Sequence, residues 1–119
     1  MSEERYLTMN ESQIFEEIGR TLLADSPGSR LLSLAEYESA GRAWFASVKS
    51  VLRKHVCENQ VLIDQLFRDG PALRNAVAVA LLDTALHTVA FPVPITAVSH
   101  AILCYGIQSL CTKETSHVQ

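Results

Sequence analysis

The chain has 119 residues, 48% of them hydrophobic, enough to bury one core and too few for two ordinary domains. A net charge of −3 argues against a general nucleic-acid binder, and the hydrophobic fraction excludes wholesale disorder. Five glycines and four prolines are too few for the turns of a β-sandwich or barrel, and the abundance of alanine, leucine and glutamate favours helices.

Residues 1–9 read as a flexible N-terminal tail. Asn10 and Gln13 then approximate a capping box, in which each side chain satisfies the other's backbone N–H. Ile14, Phe15, Ile18, Leu22 and Leu23 recur at helical spacing and predict an amphipathic helix over 11–24, stopped by Ser26-Pro27-Gly28. Ser33 and Glu36 form a cleaner box that opens a second helix over 34–57. Its buried stripe runs through Tyr37, Gly41, Trp44, Val48, Leu52 and Val56. Lys49, Arg53, Lys54 and His55 gather near its end, where cations suit the negative end of the helix dipole. A short third helix fits 60–68, with Val61, Leu62, Leu66 and Phe67 apolar, and closes at Asp69-Gly70.

Pro71 suits the first turn of a fourth helix over 72–90, since its missing N–H would lack a partner there anyway. That helix is apolar on nearly every side, which predicts that it is the most buried of the set. Phe91-Pro92-Val93-Pro94 breaks the pattern, because a residue before proline is pushed out of helical geometry. A fifth helix follows over 95–111, with Gly106, Ala97, Ala101 and Ser109 small enough for close approach by another helix. Residues 113–119 read as a flexible tail. The expectation is an all-α fold: one helical domain over 10–112, a compact bundle of about five helices with a buried C-terminal hairpin, 72–90 and 95–111.

The N-terminus carries no basic segment followed by an apolar run, so no signal peptide is expected. The apolar stretch 76–111 is interrupted by Asp83, His87, Pro92, Pro94 and His100, which argues against an integral membrane protein. Cys57, Cys104 and Cys111 show no CxxC spacing. Cys104 and Cys111, seven apart on one helix, would lie about 10.5 Å apart and cannot bridge within it. Free thiols suit a reducing compartment, and the expected location is cytoplasmic.

Four residues offer a metal site. Asp83 and His87 are four apart, as are His100 and Cys104, so each pair shares a helix face. Folding the hairpin about 92–93 sets 83 opposite 102 and 87 opposite 98, with His100 between Asp83 and His87, and zinc accepts these donors. The plainer alternative is an ordinary intrahelical pair and a cysteine acting as a small hydrophobe. A phosphate or nucleic-acid surface could use Arg42, Lys49 and Arg53, which line one face of the second helix, although Glu38 four residues before Arg42 suits a simple ion pair. The turn around Asp69-Gly70-Pro71 leaves a groove-reading helix only Arg74 and Asn75 before it turns apolar. Tyr37, Trp44 and Phe45 fit the core better than a stacking site.

No catalytic motif is present: Cys57 follows His55 by two residues, which point away from each other on a helix, and GxSxG, HExxH and a glycine-rich phosphate loop are all missing. The expectation is therefore a non-enzymatic protein–protein interaction module, an adaptor or regulator without a cofactor. It would pair with a second copy through 72–111 as a homodimer, or with another protein. The alternatives are a small-ligand or metal-binding helical domain and, third, a nucleic-acid-binding protein.

Overall fold

The computed structural model describes residues 4–24, 32–68, 70 and 73–112. They form helices α1 (Glu4–Leu7), α2 (Glu11–Leu22), α3 (Leu34–Ser47), α4 (Lys49–Leu52) running into a π-helical turn (Arg53–Cys57), α5 (Gln60–Leu66), α6 (Ala76–Leu86), α7 (Ile95–Tyr105) and α8 (Ile107–Cys111). No strand occurs among the described residues, so the fold is all-α.

Both expected capping boxes form. Asn10 Oδ1 accepts from the Gln13 N–H at 2.8 Å while Gln13 Oε1 accepts from the Asn10 N–H at 2.8 Å, and Ser33 and Glu36 exchange the same pair of bonds. The caps open α2 and α3, and the two helices cross closely at a pair of glycines. A Cβ on Gly19 would fall 1.8 Å from the Tyr37 carbonyl oxygen, and one on Gly41 would fall 2.1 Å from that of Phe15. Only glycine permits two helix backbones to meet this closely. On either side, Arg20 lies over the Tyr37 ring and Arg42 over the Phe15 ring, at 4.7 and 4.5 Å from the ring centroids.

The fold corrects several expectations. The chain before Asn10 is not a loose tail over 4–9: Tyr6 on α1 is buried, and Arg74 donates from its guanidinium to the carbonyls of Tyr6 and Met9. The expected tail 113–119 and residues 1–3, like Ser26-Pro27-Gly28, Asp69 and Pro71, lie outside the described residues. The fourth helix is shorter than 72–90. It starts at Ala76, where Asn75 Oδ1 accepts from the Ala78 N–H, and ends at Leu86.

The most buried helix is also not α6 but α7, whose residues Ala97 to Leu103 are all buried. It packs against α2, α6 and α1, whereas α6 leaves Ala76, Val77, Ala80 and Thr84 exposed. An apolar sequence on every side does not decide which helix is central: α6 meets α5, α7 and the π-helical turn and still leaves one face open. Gly106 does not lie inside a helix either. At φ +104° it separates α7 from α8, a backbone conformation that side chains disfavour.

The cysteine reading fails as well. Cys57 and Cys111 form a disulfide, with Cα atoms 5.4 Å apart, and only Cys104 is free. The intrahelical bar on Cys104–Cys111 holds, but the third cysteine reaches Cys111 across the fold. The π turn, with its Glu58 N–H bonded to the Arg53 carbonyl, ends at Cys57, and Arg53 Nε donates to the Leu110 carbonyl at 2.9 Å beside it.

Candidate functional site

The chemistry gathers where α6 meets α7. Asp83 projects from α6, and its carboxylate accepts from the Thr96 hydroxyl at 3.0 Å and the Ser99 hydroxyl at 2.5 Å. Position 83 therefore faces 96 and 99, not 102. The register differs from expectation because α6 ends at Leu86, so residues 87–94 all belong to the link and the hairpin turns earlier. No salt bridge reaches Asp83 among the described residues.

Directly after Ser99 on α7 sits His100, 1% exposed, with its ring centroid 5.5 Å from that of Tyr6. Its Nδ1 is buried with no hydrogen-bond partner, and it is the lone such side-chain nitrogen or oxygen among the described residues. Burial pushes the imidazole below its usual pKa; the Arg74 charge adds to that, and Asp83 opposes it. His100 is therefore neutral at physiological pH, with one ring nitrogen a donor and the other an acceptor.

A pocket of about 220 Å³ opens beside this pair. Leu7, Val79 and Ala80 supply apolar wall, and Asp83, Thr96 and His100 supply a polar end. The larger cleft, about 460 Å³, lies elsewhere, between α5 and α6, and is lined by Leu66, Leu73, Val77 and Leu81 among others. None of its described lining residues is titratable.

The four expected metal ligands do not converge. His87 is exposed at the end of α6, with Nδ1 2.7 Å from the Thr84 carbonyl, and it does not line the pocket. Cys104 is half-buried, its thiol pKa raised chiefly by that burial, and it too lies off the pocket. No cluster of three or more His, Cys, Asp or Glu side chains able to hold a metal ion occurs among the described residues. Asp83 and His100 share a wall; His87 and Cys104 do not join them.

The basic face is engaged inside the fold. Arg42 bonds Glu38 at 2.7 Å and Glu11 at 3.0 Å; burial works against its charge, but these bonds raise its pKa overall. Lys49 Nζ lies 3.0 Å from the Tyr105 hydroxyl and over the same ring, and Arg53 holds the Leu110 carbonyl. Arg74 and Asn75 are equally occupied, one strapping α1 and the other capping α6. Tyr37 and Phe45 are buried and Trp44 packs edge-on against Phe91, so the aromatics belong to the core.

Thr96, Ser99 and Tyr6 complete the site and were not singled out in the sequence. The signal for two of them was present: hydroxyls three apart on one helix share a face, opposite the lone acid of the preceding helix. Compared with protein-family models, curated proteins and solved structures, the chain matches none. No described helix is long and apolar enough to cross a membrane.

Proposed function

We propose that the protein is a non-enzymatic interaction module, an adaptor or regulator, that pairs with a second copy through the outer face of α6. One observation carries this. The only charged residue of α6 is Asp83, which is turned toward Thr96 and Ser99, so the exposed face contains Ala76, Val77, Ala80 and Thr84 and no charge. Val77 is 71% exposed, and just before the helix Leu73 is 66% exposed. On α5, Val61 is 68% exposed. An exposed apolar face of this kind is uncommon on a soluble monomer unless something covers it. An uncharged face offers a foreign partner no charge pattern to read, whereas a two-fold contact needs only that the surface complement itself. Small residues at 76 and 80 let two copies of α6 approach closely.

This narrows the contact expected over 72–111 to α6 and its flanks, because α7 is consumed by the core. Light scattering at micromolar concentration tests it. Twice the mass of one chain is expected, and Val77→Asp returns the mass to that of one chain. A single-chain mass for the native protein overturns the pairing. The Cys57–Cys111 bond weighs against the cytoplasmic location expected from free thiols, because disulfides persist chiefly in oxidising compartments.

A further inference from the structure

We infer that the pocket between α1, α6 and α7 binds a small primary ammonium compound: a protonated amine on a compact apolar body, its head at Asp83 and His100. The inference goes beyond the pairing of α6, although Ala76 and Ala80 belong to both surfaces, and it rests on three observations.

The first is an unbalanced carboxylate. Asp83 is half-buried and accepts two hydroxyl protons, from Thr96 and Ser99, but no cation meets it among the described residues. A carboxylate has about four acceptor positions, so room for a charged donor is left. Both hydroxyl protons point at the same carboxylate, so neither Thr96 nor Ser99 has a donor to spare for a ligand. Arg74 does not line the pocket; its guanidinium is held by the carbonyls of Tyr6 and Met9.

The second is His100. A buried ring nitrogen without a partner carries a desolvation cost of about 1–3 kcal/mol, and such groups are uncommon in folded proteins. His100 lines the same pocket as Asp83, so a neutral ring with an unpartnered nitrogen lies beside the carboxylate that would hold the ammonium. The third is the wall. Leu7, Ala76, Val79 and Ala80 favour a hydrocarbon body. At roughly 30 Å³ per water-sized group, 220 Å³ holds about seven heavy atoms, the size of hexylamine or cyclohexylamine. An anion is disfavoured by Asp83, and a neutral alcohol loses the charge-assisted bond.

The experiment is an NMR titration of the folded chain at pH 7 with n-hexylamine, hexan-1-ol and hexanoate. Saturable shifts are expected at Leu7, Val79, Thr96 and the His100 imidazole with the amine, about tenfold weaker binding with the alcohol, and none with the acid. Asp83→Asn abolishes the preference for amine over alcohol. Ala80→Phe, made in the Val77→Asp chain because position 80 lies on both the pocket wall and the pairing face, blocks all binding without touching the hydrogen bonds at Asp83, and it decides the matter if Asp83→Asn does not fold. Repeating the titration on Val77→Asp, a residue outside this pocket, separates loss of pairing from loss of binding. Absence of any binding, equal binding of amine and acid, or binding unchanged by Ala80→Phe overturns the inference.

Discussion

The α2–α3 pair and the α6–α7 pair are built on opposite terms. In α2–α3 the two backbones touch at Gly19 and Gly41, and the outer faces carry Glu11, Glu38, Arg20 and Arg42, partly paired with one another. In α6–α7 one helix is buried through its middle, the other shows water a face without charge, and the lone acid turns inward to two hydroxyls. Both pairs are apolar inside, so burial does not distinguish them. What differs is how the surface is treated: charge marks the face of the first pair as solvent-facing, and nothing marks that of α6. The polar groups of the second pair sit inside it, which is where a site would be expected.

The bond that ties the two halves together offers the largest test. Cys57 follows the α3–α4 segment and Cys111 ends α8, 54 residues apart in sequence. Closing a loop of that length removes enough unfolded-chain entropy to contribute about 4 kcal/mol. Reduction, or Cys111→Ser, should lower stability by about that amount in urea unfolding. An unchanged midpoint on adding reductant would mean that the halves hold together without it.

Next in size is the glycine contact. Gly41→Ala places a methyl against the Phe15 carbonyl, which the helix backbone cannot move aside, and should cost about 3 kcal/mol. Gly106→Ala is the matched control. Its nearest neighbour is the Ser109 side chain at 3.5 Å, so only the positive φ opposes it, at about 1–3 kcal/mol. If Gly106→Ala proves the worse, then backbone strain rather than close approach limits this fold.

These positions also show what could be read from sequence. The all-α class, both capping boxes and the positions of α2 and α5 were legible because each depends on residues within a turn or two. The site was half legible: Asp83 and His100 were named, but paired with His87 and Cys104 at the wrong register. That error came from one helix end. Asn75 three residues before Ala78 is an N-cap signal, yet the apolar run hides where α6 stops, and ending it at Leu86 moves the hairpin turn. Cys57–Cys111 and the Gly19–Gly41 contact join residues far apart in sequence, and local pattern carries no information about them. Gly106 was seen as small when its positive φ was the operative property.

A pH titration sharpens the contrast from the side of α7. His100 is held neutral by burial, so its folded pKa lies below the 6.5 of the free imidazole. Above that pH both states are neutral and the full stability is present. As pH falls below about 6.5, the unfolded chain takes up a proton that the folded one refuses, and stability declines by at most about 1.4 kcal/mol per pH unit. Urea midpoints should therefore fall between neutral and mildly acid pH, and His100→Phe should flatten that slope. An equally steep slope in the variant would assign the loss to other groups.

The smallest effect separates the two kinds of polar contact directly. Glu38 and Arg42 meet at 2.7 Å, but their side chains are 25% and 41% exposed, so water and salt screen the pair. Glu38→Gln should cost only about 0.5 kcal/mol at low ionic strength, and less in about 1 M salt, where the screening length shrinks to roughly 3 Å. Ser99→Ala removes a hydroxyl that is fully buried and bonded to Asp83. Its cost should be larger, about 1–2 kcal/mol, and should not change with salt. The informative quantity is the salt dependence rather than the size of either loss. If Ser99→Ala were relieved by salt and Glu38→Gln were not, the buried hydroxyl contact would behave as a screened surface interaction and the Arg42 pair as a shielded one. The contrast between a surface marked by charge and an interior that holds it would then be reversed.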